Sequence, residues 1–162
     1  PARGDVYEQY FQEIDKVKGQ KGVLSVEKKL FVETNNGTNR QIRPVTPEQP
    51  LRIGDKVIVR LTIRTDREMN YVFLKDLRAG CFEPADQLSG PESRDGIWYY
   101  RSPKDVSENF FINRLPEGTF VLEYPVYVSR SGEYAGGIST IQCMYAPEFV
   151  SHTAGESLRI MP

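Results

Sequence analysis

Leu115 to Gly155 reads LPEGTFVLEYPVYVSRSGEYAGGISTIQCMYAPEFVSHTAG, and this stretch decides the fold. Between Thr119 and Ser129 the chain alternates: Phe120, Leu122, Tyr124, Val126 and Val128 project one way, Val121, Glu123, Pro125, Tyr127 and Ser129 the other. A two-residue period is that of a strand with one buried face. A glycine-rich return through Gly132, Gly136 and Gly137 follows, then a second extended run expected to stop at Pro147, where the missing N–H ends regular pairing.

Working outward, the same period recurs. Lys56 to Thr65 sets Val57, Val59, Leu61 and Ile63 on one face and mainly polar side chains on the other. Val23 to Glu33 and Arg40 to Val45 flank Asn36-Gly37, a pair that tolerates the positive backbone angles of a tight hairpin. Further strands are predicted at Tyr71 to Leu77, Ile97 to Arg101, Asn109 to Leu115, Ile138 to Met144 and Ser157 to Met161. The fold class is therefore all-β, an antiparallel β-sandwich. One segment departs from it: from Val6 to Val17, Tyr7, Tyr10, Phe11, Ile14 and Val17 keep helical spacing, although Val6 to Phe11 also reads as a lead-in strand. Pro44, Pro47 and Pro50 form a stiff connection, either a domain boundary or an edge loop joining the first hairpin to the sandwich. About fifty residues is small for an independent core, so 1–50 reads as a lead-in segment packed on the sandwich, 51–162, within one domain.

The chain has 162 residues, a formal net charge of -1 and a sequence pI near 6.0. That length suits one domain with a real core, and that charge gives no electrostatic reason to expect nucleic acid or an anionic membrane as partner. No apolar run approaches the length needed to cross a bilayer, and the start at Pro1, without an initiator methionine, points to a fragment of a longer protein.

Catalytic chemistry finds little support. His152 is the one histidine, in a Ser-His-Thr segment read as an exposed loop, with no titrating partner nearby in sequence. No phosphate loop, dinucleotide fingerprint or Cys-x-x-Cys pair occurs, so neither a cofactor nor a metal is expected. Asp66, Glu68, Glu83, Asp86, Glu92 and Asp95 lie near turns, where short acidic side chains cap backbone N–H groups and face solvent, a calcium site there being the lesser alternative. The cluster Trp98-Tyr99-Tyr100 offers flat rings on which a sugar could stack, against the plainer reading that alternate rings fill the core. Asn36-Gly37-Thr38 has the form of a glycosylation acceptor, which the hairpin turn already explains.

The ordered set of the Leu115-Pro116-Glu117-Gly118-Thr119 turn, the tyrosine-bearing strand and Met144-Tyr145-Ala146-Pro147 resembles the C-terminal macroglobulin-like domain of bacterial alpha-2-macroglobulins. Leu51 to Pro84 resembles that family's opening strands, with Gly54-Asp55 leading in and a tyrosine after the Arg/Glu turn. The resemblance implies an extracytoplasmic parent, periplasmic or in the cell envelope, that traps proteases after cleavage of a bait region, in many members through a reactive thioester in a separate helical domain. It implies no enzyme activity. Neither Cys81-Phe82-Glu83-Pro84 nor Cys143-Met144-Tyr145-Ala146 supplies the Cys-x-x-Gln of a thioester, so that group belongs to another domain.

By the same resemblance Tyr145, flanked by Met144 and Pro147, shields the thioester from water; the alternative is a tyrosine packing at a strand end. The implied partners are the parent's other domains, above all the helical thioester domain, and target proteases through the parent, with no direct membrane contact. An extracytoplasmic setting also makes a Cys81–Cys143 disulfide compatible with the chain, closing a loop of about sixty residues and contributing roughly 4 kcal/mol. The rival reading is a surface adhesion or glycan-binding sandwich whose platform is Trp98, Tyr99 and Tyr100.

Overall fold

The computed structural model describes residues 23–37, 39–46, 48–85, 89–94 and 96–162; the Val6 to Val17 segment, helix or strand, lies outside them. Among the described residues the strands are β1 (Leu24–Asn36), β2 (Asn39–Pro44), β3 (Leu51–Arg52), β4 (Lys56–Thr65), β5 (Met69–Leu77), β6 (Phe82–Pro84), β7 (Gly90–Arg94), β8 (Ile97–Pro103), β9 (Ser107–Leu115), β10 (Gly118–Val128), β11 (Gly132–Ala135), β12 (Ser139–Cys143), β13 (Ala146–His152) and β14 (Ser157–Met161). One sheet runs β2-β1-β4-β10-β6, the other β13-β12-β5-β9-β8-β7, with a small third sheet β11-β14-β3. All described pairings are antiparallel except the two-residue match of β3 with β14. The described residues form an all-β sandwich.

Periodicity explains the core. In β4 Val57, Val59, Leu61 and Ile63 are buried, and in β10 Leu122, Tyr124, Val126 and Val128 are, as the alternation predicts. The two runs are hydrogen-bonded neighbours, Val57 opposite Val126 and Leu61 opposite Leu122, so their apolar faces fuse into one surface. That surface meets Val72, Leu74, Phe110, Ile112 and Ile141 of the second sheet in a single cluster. The expected β1–β2 hairpin forms, but Asn36 is paired opposite Asn39 as the last residue of β1, so the turn begins at Gly37, which takes the positive φ of 68°, and Asn36 does not.

The anticipated division at residue 50 falls inside one hydrogen-bonded sheet: β1, expected as part of a segment packed on the sandwich, pairs with β4 along its length and is an interior strand. Pro147 does not end the second run. β12 ends at Cys143, and Pro147 lies within β13, an edge strand interrupted by a bulge, where a missing N–H leaves no ladder bond broken. His152 closes β13 opposite Thr140 rather than sitting in a loop. In the glycine-rich return only Gly fits at position 137: a Cβ there would stand 1.7 Å from the Leu77 carbonyl oxygen.

Two buried carboxylates also tie elements together, Asp76 across the two layers and Glu108 at the side of the second sheet. Asp76, fully buried, accepts hydrogen bonds from the Tyr124 hydroxyl and from Ser139 Oγ at 2.6 Å, and pairs with Lys28 Nζ at 2.8 Å. Lys28 also donates to the Gly137 carbonyl at 2.9 Å. Glu108, likewise buried, receives Arg78 Nη1 at 3.0 Å and Arg101 Nε at 2.8 Å. Such pairs hold only because each carboxylate is matched by several donors.

Candidate functional site

The site lies at the opposite end of β5 from Asp76, where β12 turns into β13. Cys143 pairs with Val72 on one side and Ala146 on the other, so Met144 and Tyr145 alone make the turn. The register then shifts within β13: Gln142 faces Val150 although Cys143 faces Ala146, which leaves Pro147, Glu148 and Phe149 bulged. The base of this projection is fixed. Ala146 and Phe149 pack against the core, Cys143 is 6% exposed, and the Arg67 guanidinium lies 5.3 Å from the Phe149 ring centroid. The tip faces outward: Met144 is 52% and Tyr145 80% exposed.

The Tyr145 ring meets Tyr71 edge to face, centroids 5.1 Å apart and planes at 84°. The Met144 N–H donates to the Tyr71 carbonyl at 2.8 Å, and Cys143 Sγ lies 3.4 Å from the Asn70 carbonyl. Tyr71 has a φ of 62°, the one positive value for a non-glycine among the described residues. For a bulky side chain that conformation costs on the order of 1 kcal/mol or more. Between this wall and the Arg67-Glu68-Met69 approach to β5 opens a hollow of about 340 Å³, with Cys143, Tyr145 and Phe149 among its lining. Nothing here forms a nucleophile–base pair. The arrangement presents a hydroxyl-bearing ring on a narrow projection beside a recess lined by both charged and apolar side chains.

The other anticipated residues fall elsewhere. Cys81 and Cys143 are separate free thiols, not a disulfide. Cys143 pairs near the start of β5, at Val72, whereas Cys81 follows the far end of that strand and its carbonyl accepts Ser129 N–H at the close of β10. At about 3.3 Å per residue these places are more than about 15 Å apart, beyond the roughly 7 Å reach of a bridge. Burial raises the Cys81 thiol pKa, with a smaller opposing contribution from a backbone hydrogen bond.

Trp98, Tyr99 and Tyr100 do not form one platform, because alternation in β8 sends Tyr99 into the core against Phe110 at 5.7 Å and leaves Trp98 70% and Tyr100 48% exposed. The exposed rings continue across strands instead. Tyr100 pairs with Phe111 and Phe111 with Phe73, the last two stacked at 4.8 Å, a row that reading β8 alone could not find. No group of side chains suited to hold a metal occurs among the described residues, and Asp86 and Asp95 lie outside them. Asp66 pairs with Arg67 at 3.0 Å and Glu68 with Arg114 at 3.1 Å.

Two facing sheets with these registers define a macroglobulin-like sandwich. The sequence profile described as Bacterial Alpha-2-macroglobulin MG10 domain matches residues 24–148. This chain belongs to the bacterial alpha-2-macroglobulin family, as a domain of the MG10 type. Among solved structures, Salmonella alpha-2-macroglobulin reacted with methylamine superposes with a TM-score of 0.66 at 22% identity, covering 86% of this chain and 9% of that one. Trypsin-activated alpha-2-macroglobulin from Escherichia coli gives 0.65 at 17% identity over 86% and 10%. At such identities the likeness is one of fold. The chain also matches Circularly permutated Ras protein 2 of Dictyostelium discoideum, at 28% identity over 109 residues, 67% of this chain and 3% of that protein. It thus spans about a tenth or less of the length of each of these relatives.

Proposed function

We propose that this domain serves a bacterial protease trap as a non-catalytic cover, with Tyr145 at the tip of the β12–β13 turn set against a thioester in the parent's helical domain, excluding water and small amines. The observation that carries this reading is the contrast between tip and base. A two-residue turn that leaves its ring 80% exposed is anchored at its base by residues packed against the core, which suits a contact made outside the domain. Met144 supplies adaptable apolar surface beside it, and Pro147 stiffens the exit from the turn. The parent works outside the cytoplasm, and its target proteases are met by the whole molecule. That the Salmonella relative is described as reacted with methylamine supplies a suitable probe.

Tyrosine nitration with peptide mapping tests the contact. In the isolated domain Tyr145 is modified readily; in the intact parent it is protected until methylamine or a protease has reacted. Equal modification of Tyr145 in both states removes the proposed contact.

A second reading is favoured by the Trp98, Tyr100, Phe111 and Phe73 row, which is broad enough for a saccharide to stack on. Trp98 is the chain's only tryptophan, so its fluorescence reports binding there directly. Oligosaccharide titration that leaves the emission unchanged while Tyr145 is protected in the parent decides for the cover.

A further inference from the structure

We infer that Tyr71 is the positioning residue of the Tyr145 projection: its left-handed backbone and its ring together fix where the Tyr145 ring points. This rests on the cover reading for its consequence in the parent, but the geometry belongs to this domain alone. A two-residue turn with an 80% exposed tip has little of its own to hold a side chain in one direction, and an undirected ring would lose rotamer freedom on docking.

Three contacts from one short stretch of β5 supply the direction. The Tyr71 carbonyl accepts the Met144 N–H at 2.8 Å, the Asn70 carbonyl faces Cys143 Sγ at 3.4 Å, and the Tyr71 ring abuts the Tyr145 ring at 5.1 Å and 84°. The β5–β9 register passes from Asn70 opposite Arg114 to Val72 opposite Ile112, skipping Tyr71. At a φ of 62° Tyr71 gives its carbonyl to Met144, one step beyond the Cys143–Val72 pair of the β5–β12 register, and its ring to Tyr145. A non-glycine residue held in this region is maintained by its surroundings, and here they comprise the element that carries the exposed ring. The Tyr71 side chain is itself 51% exposed, so core filling does not account for it.

Three substitutions separate positioning from simple support. Tyr71→Phe keeps the edge-to-face contact and should behave as the unmodified protein. Tyr71→Ala keeps the strained backbone and removes the ring, whereas Tyr71→Gly removes the ring and relieves the strain. In the isolated domain, NMR should show cross-relaxation between the Tyr71 and Tyr145 rings, and Tyr71→Phe should retain it between the substituted ring and Tyr145. In Tyr71→Ala and Tyr71→Gly the Tyr145 ring shifts should move to free-tyrosine values. Melting of the glycine variant should stay within roughly 4 °C of the unmodified domain.

In the parent, Tyr71→Ala and Tyr71→Gly should raise methylamine uptake by on the order of tenfold, towards the Tyr145→Gly level, with Tyr71→Phe restoring the low rate. Uptake raised by Tyr145→Gly but untouched by Tyr71→Ala overturns this inference and leaves the cover reading standing. Uptake unchanged by Tyr145→Gly overturns the cover reading and with it the consequence in the parent. Tyr145 shifts that do not respond to loss of the Tyr71 ring overturn the positioning itself.

Discussion

The phenol of Tyr124 donates its hydrogen bond to the Asp76 carboxylate, tying β10 of one sheet to β5 of the other in the middle of the core. Burial, and then the charge of Asp76, push ionisation of Tyr124 well above the ordinary tyrosine value. The unfolded chain releases this proton near pH 10 while the folded chain retains it, so above that pH the unfolded state binds fewer protons and is favoured.

The contribution of Tyr124 to stability is therefore full below about pH 10 and falls by about 1.4 kcal/mol for each further pH unit until the folded group itself ionises. Urea unfolding of Tyr124→Phe should show two effects. At pH 7 the variant should lose roughly 1.5 to 3 kcal/mol, the range for a hydrogen bond to a charged group. Between pH 10 and 11 its stability should decline less steeply than that of the unmodified domain. Parallel alkaline slopes would contradict the assignment.

The two cysteines give a second expectation. Denatured, unreduced protein should titrate two thiols, since Cys81 and Cys143 are both free. In the folded protein Cys81, fully buried and with its pKa raised by that burial, should react with a disulfide reagent at neutral pH only on unfolding. A denatured sample without titratable thiol would restore the disulfide.

Gly137 gives the third. An alanine Cβ there would be driven into the Leu77 carbonyl oxygen, rigid backbone that cannot step aside. The same residue's carbonyl holds Lys28, itself paired with buried Asp76, so movement at 137 disturbs the ion pair as well. Gly137→Ala should cost about 3 kcal/mol or more, lowering the melting temperature by roughly 6 to 12 °C. A loss under about 1 °C would mean that the close approach is not as described.

Sequence carried the long strands because their signal is repeated: in β4 and β10 four or five alternate apolar residues name the buried face. It did not carry β3, β6, β7, β11 or β13. The first four have only two to five residues, too few for a period to show, and β13 is broken by the bulge holding Pro147, Glu148 and Phe149. The motif around Tyr145 was readable from its order along the chain, but its prop was not. Tyr71 sits in an ordinary extended run, and neither its positive φ nor the meeting of its carbonyl with Met144 across the β5–β12 register shows in that run. The aromatic row failed for a related reason, since Phe73, Phe111 and Tyr100 come together only through register. Cys81 and Cys143 looked bridgeable because linear order does not say at which end of a sheet a residue emerges.

Methylamine incorporation by the intact parent carrying Tyr145→Gly tests the central claim most directly. The account predicts that the variant takes up methylamine much faster than the unmodified parent. The isolated domain with the same substitution should melt within about 2 °C of the original, because an exposed ring changes stability by only about 0.5 kcal/mol. Unchanged uptake in a parent with an intact thioester, together with a marked fall in the melting temperature of the domain, would contradict it and make Tyr145 a structural residue.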